Sequence, residues 1–241
     1  MKEFLNLKKE LDKIKHKNWI ECSEYSNGLM IEKLLKIPKN TFEVPDYDGI
    51  EIKSKKRYGK SNFTLFNATP DNNFFEIKRI QKNYGYPDKE NKKYKVFNIN
   101  ISAINEKILV KNSFKLFINY KKEFISLLVW DNKGNLIDSE TSWSFSMLKE
   151  KLFRKLSYLC FIQTENKIIN NVKYFKITNY NFYKLISFNN FLKLLESGKI
   201  CISFKIGVFK SGKRIGQIRD RGTSFSLDYR YINSLFSNCK L

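Results

Sequence analysis

The stretch Pro45-Asp46-Tyr47-Asp48-Gly49-Ile50-Glu51-Ile52-Lys53-Ser54 holds the most informative pattern of the chain. Its last six residues alternate between apolar and polar types, which predicts a β-strand. Side chains two residues apart in a strand share a face, so Glu51 and Lys53 are expected to point the same way. Asp46 lies five residues before Glu51, directly after a proline. The stretch therefore places Asp46, Glu51 and Lys53 near the start of one strand.

These groups are suited to hold a metal ion. Mg²⁺ prefers oxygen ligands, and the carboxylates of Asp46 and Glu51 together with the main-chain carbonyl of Ile52 would supply them. Lys53 could then orient or help deprotonate an attacking water, and it could offset the negative charge of a transition state. Because Asp, Glu and Lys are common residues, the same pattern also fits a solvent-facing Glu/Lys pair on an edge strand.

A further carboxylate lies upstream of this strand. Apolar residues at helical spacing predict a helix over residues 28–37, ended by Pro38, and Glu32 lies within it. If this helix packs beside the strand, Glu32 becomes a third carboxylate able to bind a metal or its waters. The alternative is that Glu32 belongs to the polar face of an amphipathic helix.

The remaining pattern indicates a mixed α/β chain with many antiparallel hairpins. Apolar residues at three- and four-residue spacing predict an amphipathic helix over residues 3–17. Residues 62–67 are expected to form the antiparallel partner of the 49–54 strand. The polar segment 69–95 is expected to be a long loop or lobe junction, or else a disordered insert. From residue 96 onward, strand patterns predominate.

The composition favours a polyanionic partner. The chain carries 45 Lys and Arg against 24 Asp and Glu, a formal net charge of +21, and nucleic acid is the commonest such partner. Only seven of the basic residues are Arg and Asn is abundant, which is typical of an AT-rich genome, so a solvated lysine surface is the alternative.

No apolar run reaches about 18 residues, so no membrane-spanning helix is expected. With a single histidine and four scattered cysteines, no zinc site or disulfide framework is expected.

The segment 205–221 concentrates the positive charge. Its six basic residues, opposed only by Asp220, are Lys205, Lys210, Lys213, Arg214, Arg219 and Arg221. The glycines of this segment would let the backbone approach phosphate closely, and arginine can also read a guanine base. The alternative is a solvated basic hairpin.

Three separated blocks resemble the MvaI/BcnI family of type II restriction endonucleases, relatives of the mismatch-repair nicking endonuclease MutH. The blocks are residues 28–35 with Glu32, the 45–54 stretch followed by Ser61-Asn62-Phe63-Thr64-Leu65-Phe66, and Ile206–Gly216 leading into Asp220-Arg221-Gly222-Thr223-Ser224-Phe225. They are similar to the family's Gly-rich helix entry, its D-x4-E-x-K strand with the T-L-F strand after it, and its I-G-x-x-x-S-G-K-x-x-G block followed by D-H-G-T-x-F. Arg221 stands where the family commonly has His.

The resemblance implies an α/β (mixed α+β) fold with a PD-(D/E)xK nuclease core. It would be a MutH-like, two-lobed clamp around duplex DNA with a mixed, largely antiparallel sheet. Residues 1–95 would form the catalytic lobe, with Glu32, Asp46, Glu51 and Lys53 as catalytic residues. Residues 96–241 would form the DNA-recognition lobe, packed on the first to complete one DNA cleft. The residues expected to contact DNA are Lys55, Lys210, Ser211, Lys213, Arg214, Arg219, Asp220, Arg221 and Thr223.

The activity that the resemblance implies is site-specific, Mg²⁺-dependent hydrolysis of double-stranded DNA by a monomer that nicks each strand in turn. Mn²⁺ is expected to substitute for Mg²⁺, and Ca²⁺ to support binding without cleavage. A companion DNA methyltransferase encoded nearby, a bacterial cytoplasmic location and no membrane partner are also expected. The alternatives are a MutH-like strand-nicking mismatch-repair endonuclease and a non-catalytic DNA-binding module.

Overall fold

The computed structural model describes residues 2–38, 43–59, 61–71 and 73–239, without the side chains of residues 73 and 74. The α-helices found in these residues are α1 Lys2–His16, α2 Asn27–Leu34, α3 Asn73–Tyr84, α4 Phe145–Leu156, α5 Phe188–Glu196 and α6 Ile232–Leu235. A short 3-10 helix, Tyr229–Tyr231, precedes α6. The strands are β1 Ile20–Glu21, β2 Ile50–Lys56, β3 Phe63–Asn67, β4 Tyr86–Pro87, β5 Lys95–Ile101, β6 Lys107–Leu109, β7 Asn112–Asn119, β8 Phe124–Trp130, β9 Leu136–Asp138, β10 Ser142–Ser144, β11 Tyr158–Ile169, β12 Val172–Leu185, β13 Ile200–Val208, β14 Ile218–Asp220, β15 Ser224–Leu227 and β16 Phe236–Asn238.

The candidate strand, β2, lies at the edge of a five-stranded sheet. This sheet has the order β1-β12-β11-β2, with β16 paired to β12. β2 runs parallel to β11, whereas the other described pairings in this sheet are antiparallel. The predicted pairing of residues 49–54 with residues 62–67 is wrong, because β3 joins β15 in another sheet. β2 pairs with β11 instead, since Ile50 and Ile52 share one buried apolar core with Cys160 and Ile162 of β11.

The described residues form two further sheets. One has the order β10-β8-β7-β6, with β9 paired to β8, and its described pairings are antiparallel. The other has the order β3-β15-β13-β5-β4, with β14 paired to β13. This last sheet contains the basic segment, because residues 205–221 include the end of β13, the loop after it and β14.

The chain forms two compact units, each built from separate stretches of sequence. One unit comprises Met1–Phe63, Leu152–Ile186 and Ile232–Leu241, and the other comprises Thr64–Lys151 and Ser187–Tyr231. The single boundary expected between residues 95 and 96 differs from this division. The physical reason is strand pairing, because β11 and β12 come late in the chain but belong to the sheet that contains β2.

Helix α1 covers the core of the first unit. Leu7, Leu11 and Ile14 follow one another at helical spacing and are buried in the same apolar cluster as the β2 side chains. The prediction of a helix over residues 3–17 is thus confirmed with ends one residue earlier. None of the helices in the described ranges is both long and apolar enough to cross a membrane.

The segment 69–95 is not the long loop that was expected, since it contains α3 and β4; residue 72 lies outside the described residues. Ile77 and Ile80 are buried on one side of α3. Asn and Lys residues around these few apolar positions concealed the helical period, and buried polar groups supply the rest of the packing. Gln81 donates hydrogen bonds to the carbonyls of Lys95, at 2.8 Å, and Gly207, at 3.0 Å.

Candidate functional site

A two-residue turn brings Asp46 beside β2. The N–H of Tyr47 donates to the carbonyl of Ile50 at 3.0 Å, and the N–H of Ile50 donates to the carbonyl of Tyr47 at 2.7 Å. The intervening Asp-Gly pair has φ values of 40° and 84°, the left-handed conformation that such pairs adopt in tight hairpin turns. The chain therefore reverses direction, and Oδ2 of Asp46 accepts a 2.9 Å hydrogen bond from the N–H of Ile52.

Glu51 is a buried carboxylate held between two lysines. Its residue surface is 1% exposed, and its Oε1 lies 2.5 Å from Nζ of Lys53 and 3.6 Å from Nζ of Lys155. Burial raises the pKa of the Glu51 carboxyl above its ordinary range; Lys53 and Lys155 act in the opposite direction, and the charge of Asp46 adds to the rise. The site thus keeps a carboxylate in surroundings that disfavour its charge.

The second oxygen of this carboxylate makes the site suitable for a cation. Oε2 of Glu51 is buried and has no hydrogen-bond partner among the described residues, an arrangement that costs free energy unless a ligand satisfies it. The N–H of Ile52 points to Asp46, on the edge of β2 that faces away from β11, and the C=O of a strand residue points to the same side as its N–H. Oxygens of Glu51, Asp46 and Ile52 are therefore a donor set that fits a hard cation such as Mg²⁺.

The helix that carries Glu32 is fixed by a buried hydrogen-bond network. Asn27, at the start of α2, donates from Nδ2 to Oγ1 of Thr164 and to Oδ1 of Asn166, at 2.8 Å in both cases. Within the described ranges, no group of three or more His, Cys, Asp and Glu side chains is arranged to hold a metal. The structure therefore does not bring Glu32 to the carboxylates of residues 46–51 as a third direct metal ligand.

Lys155 is the residue of this site that the sequence did not reveal. It lies in the last turn of α4, where its charge looks like part of an ordinary solvated helix face. Its position follows from the strand after the helix, because β11 begins at Tyr158 and aligns Leu159 with Glu51 in parallel register. That long-range pairing is what carries Lys155 to the buried carboxylate, and local sequence patterns do not encode it.

The basic segment forms an exposed hairpin in the second unit. β13 and β14 pair from Ile206–Asp220 to Val208–Ile218. Five of the side chains expected to contact DNA are exposed here, namely Ser211, Lys213, Arg214, Arg219 and Arg221. Each of the chain's other arginines pairs with a carboxylate, as Arg57–Glu165, Arg79–Glu76, Arg154–Glu43 and Arg230–Asp228. Within the described part of the chain, no carboxylate pairs with the three arginines of the hairpin. They are therefore free to bind an external anion.

Lys210 differs from these side chains because acidic residues already neutralise it. Its Nζ lies 2.8 Å from Oε2 of Glu90 and 3.2 Å from Oδ1 of Asp88. These contacts raise the pKa of Lys210, with the hydrogen bond to Glu90 as the largest cause. The structure thus gives Lys210 a role in attaching the loop between β13 and β14 to Asp88 and Glu90.

The remaining expected DNA contacts are less accessible. Burial raises the pKa of Asp220, whose Oδ1 accepts a 2.9 Å hydrogen bond from the N–H of Gly222. Thr223 is completely buried and its hydroxyl has no partner among the described residues, so its side chain is not at the surface here. Lys55 lies on β2 and is partly exposed.

Comparisons with known proteins cover nearly the whole chain. Residues 8–236 match the model of the MvaI/BcnI restriction endonuclease family. A solved complex of restriction endonuclease MvaI with its cognate DNA substrate matches with a TM-score of 0.90 and 28% identity, over 99% of this chain and 98% of that chain. MvaI in the absence of DNA matches with a TM-score of 0.65 at the same identity and coverage. No curated protein sequence matches the chain. The expected mixed α+β fold with mostly antiparallel sheets is confirmed.

Proposed function

The chain belongs to the MvaI/BcnI restriction endonuclease family, and from this membership we propose that it is a type II restriction endonuclease that hydrolyses double-stranded DNA at a specific sequence with Mg²⁺. The observation that carries the proposal is the carboxylate of Glu51, which is buried with Oε1 on Lys53 and Oε2 unsatisfied. A buried charge in this state costs stability, and metal-dependent catalysis gives a reason to keep it.

The residues of this site have separate tasks in the proposed reaction. Asp46, Glu51 and the carbonyl of Ile52 would hold Mg²⁺, which supplies positive charge against the scissile phosphate when bound. Lys53 would orient or help deprotonate the attacking water and offset the charge that develops on the phosphate. Hydrolysis would leave a 5′-phosphate and a 3′-hydroxyl. Glu32 would act on waters near the metal rather than as a direct ligand.

The proposed substrate is duplex DNA, and two observations support it. The similar MvaI structure contains its cognate DNA substrate, and the exposed hairpin carries three arginines without a carboxylate partner among the described residues. Lys55 and the side chains of Ser211, Lys213, Arg214, Arg219 and Arg221 are the proposed contacts, together with Asp220. Because the catalytic pattern occurs once in the chain, we propose a monomer that nicks each strand in turn.

The proposal extends to metals and to the cell. Mn²⁺ would substitute for Mg²⁺, and Ca²⁺ would support binding without cleavage. A bacterial host would need a companion methyltransferase to spare its own DNA, with both proteins in the cytoplasm.

The test is incubation of the purified protein with unmethylated phage DNA in Mg²⁺, with Glu51→Ala in parallel, followed by sequencing of the fragment ends. We expect discrete fragments that share one terminal sequence motif and that are absent with the variant. The variant should still bind the identified site in Ca²⁺.

Other outcomes would favour the alternatives. Nicks without double-strand breaks would favour a strand-nicking repair endonuclease. Tight DNA binding without cleavage of any substrate, in Mg²⁺ or Mn²⁺, would favour a DNA-binding module. Unchanged cleavage by both Glu51→Ala and Asp46→Ala would overturn the metal-site assignment.

A further inference from the structure

One aromatic ring lies at the centre of the basic hairpin. The guanidinium carbon of Arg214 is 4.0 Å from the centroid of the Phe209 ring, and that of Arg219 is 5.4 Å from the same centroid. Both distances are within the range of a cation–π interaction. The two arginines lie in different parts of the hairpin, Arg214 at its tip and Arg219 in β14, and both contact the same ring.

The hairpin backbone holds Phe209 in place. The N–H of Phe209 donates to the carbonyl of Gln217 at 3.0 Å, and the N–H of Gly216 donates to the carbonyl of Phe209 at 2.9 Å. Gly216 adopts a φ of 79°, and a Cβ at this position would meet the Tyr94 ring at 2.9 Å. The ring is therefore attached to a braced backbone rather than to a loose loop tip.

The ring contact leaves the hydrogen-bonding groups of both arginines available. A guanidinium has five N–H donors in a planar fork, and stacking on a ring uses none of them. Within the described residues neither Arg214 nor Arg219 pairs with a carboxylate. Two like charges near each other repel, and a shared ring offsets part of that cost while it restricts the rotamers of two long side chains.

We propose that Phe209 is a positioning residue that determines site specificity, because it fixes Arg214 and Arg219 as a pair of donor forks for the acceptor groups on base edges. This inference rests on the proposed function and goes beyond it, since Phe209 itself contacts no DNA in this role. Preorganised side chains lose less entropy on binding, and the gain applies only where both forks find matching acceptors. Phe209 therefore contributes to binding of the specific site and little to binding of other DNA.

The test compares Phe209→Leu with Phe209→Tyr in the full-length protein. Leu removes the π face but keeps an apolar side chain, whereas Tyr keeps the ring. After the cleavage site has been identified, dissociation constants are measured in Ca²⁺ for that site and for unrelated duplex DNA over a range of salt concentrations. Thermal melting verifies that both variants fold.

We expect Phe209→Leu to weaken binding to the specific site by about tenfold, the effect of losing two exposed cation–π contacts. The dissociation constant for unrelated DNA should change less than about twofold. The slope of log K against log salt concentration should stay the same, because the number of phosphate contacts does not change. Phe209→Tyr should retain the specificity of the wild type.

Four results would contradict the inference, and they differ in what they overturn. A preferred site whose affinity Phe209→Leu leaves unchanged would overturn the positioning role alone. Equal weakening on both DNAs, or the same loss of specificity with Phe209→Tyr, would indicate general support of the hairpin instead. A wild-type protein with no preferred site would overturn the proposed function and the positioning role with it.

Discussion

Oε1 of Glu51 lies 2.5 Å from Nζ of Lys53, whereas Oε2 of the same carboxylate is buried without a hydrogen-bond partner among the described residues. One oxygen is thus neutralised by a cation of the protein, and the other is left for a group that the chain does not provide. An unsatisfied buried oxygen lowers the stability of the metal-free protein. Groups that disfavour the fold but suit a ligand are common at functional sites.

The first prediction concerns the pH dependence of stability. The pKa of Glu51 in the folded protein is raised above its ordinary value of 4.5, chiefly by burial. Its contribution to stability is therefore largest below that value and is lost as the pH rises through the raised pKa. In metal-free buffer, wild type should lose stability relative to Glu51→Gln as the pH increases from about 4 to neutrality, measured by thermal melting.

The control for this prediction is Glu43→Gln, which changes an exposed carboxylate. Its difference in melting temperature from wild type, measured at the same pH values, gives the effect of removing a carboxylate that is not buried. Ca²⁺ should restore stability to wild type at neutral pH and have little effect on Glu51→Gln. A difference between wild type and Glu51→Gln that is the same at every pH would contradict the prediction.

The second prediction separates the two lysines at Glu51. Nζ of Lys53 lies closer to Oε1 than Nζ of Lys155 does, 2.5 Å against 3.6 Å. We expect Lys53→Ala to lower the cleavage rate by about 100- to 1,000-fold, the usual effect of removing one preorganised charge. Lys155→Ala should cost less, about tenfold, because it would only place the carboxylate less accurately. Single-turnover rates measure both effects, and Lys149→Ala, exposed on the same helix, should have none.

The third prediction concerns the turn that brings Asp46 to β2. Gly49 has a φ of 84°, and a Cβ there would have no neighbour within 4 Å, so Gly49→Ala introduces backbone strain alone. The strain should lower stability by about 1–2 kcal/mol and cleavage by about tenfold or more, because small displacements of a metal-binding carboxylate are costly. Gly134→Ala is a matched control, since Gly134 has a φ of 85° and equal space. It should lower stability equally and leave cleavage unchanged.

Local patterns predicted the elements of the site but not their partners. The alternation around Glu51 predicted its strand, whereas the turn at the Asp-Gly pair before it was not predicted. Nothing in that alternation distinguishes the neighbouring strand β3 from β11 as the partner, because pairing depends on which apolar faces share a core. The position of Lys155 depends on the same pairing, so it stayed hidden for the same reason.

The sequence predicted where the basic side chains are more reliably than which of them are free of acidic partners. The segment 205–221 was expected to be basic and exposed, and its arginines are. Lys210 counted equally in that interpretation, although Asp88 and Glu90 neutralise it from a distant part of the chain. The α3 helix was missed because its burial depends partly on polar groups, such as Glu76 with Arg79, which hydrophobic periodicity does not register.

The fourth prediction concerns this buried ion pair. Arg79 contacts the carboxylates of Glu76 and Asp138, both more than nine-tenths buried. Arg79→Ala would leave two buried carboxylates without a positively charged partner, although Thr141 still donates to Glu76 and Tyr84 to Asp138, and it should lower the free energy of unfolding by about 3–5 kcal/mol. Arg154→Ala breaks an exposed pair with Glu43 and should cost about 1 kcal/mol or less. Denaturant unfolding measures both, and similar losses would contradict the prediction.

The last prediction distinguishes free from neutralised charges in the hairpin. Lys213 is exposed and, among the described residues, it has no acidic partner, whereas Lys210 has two. Removing one phosphate contact lowers the slope of log K against log salt concentration by about 0.9. We therefore expect Lys213→Ala to reduce the salt slope of DNA binding by about that amount, and Lys210→Ala to reduce it much less. The slopes are measured on the same duplex in Ca²⁺. An equal reduction by both variants would mean that Lys210 exchanges its acidic partners for phosphate when DNA binds.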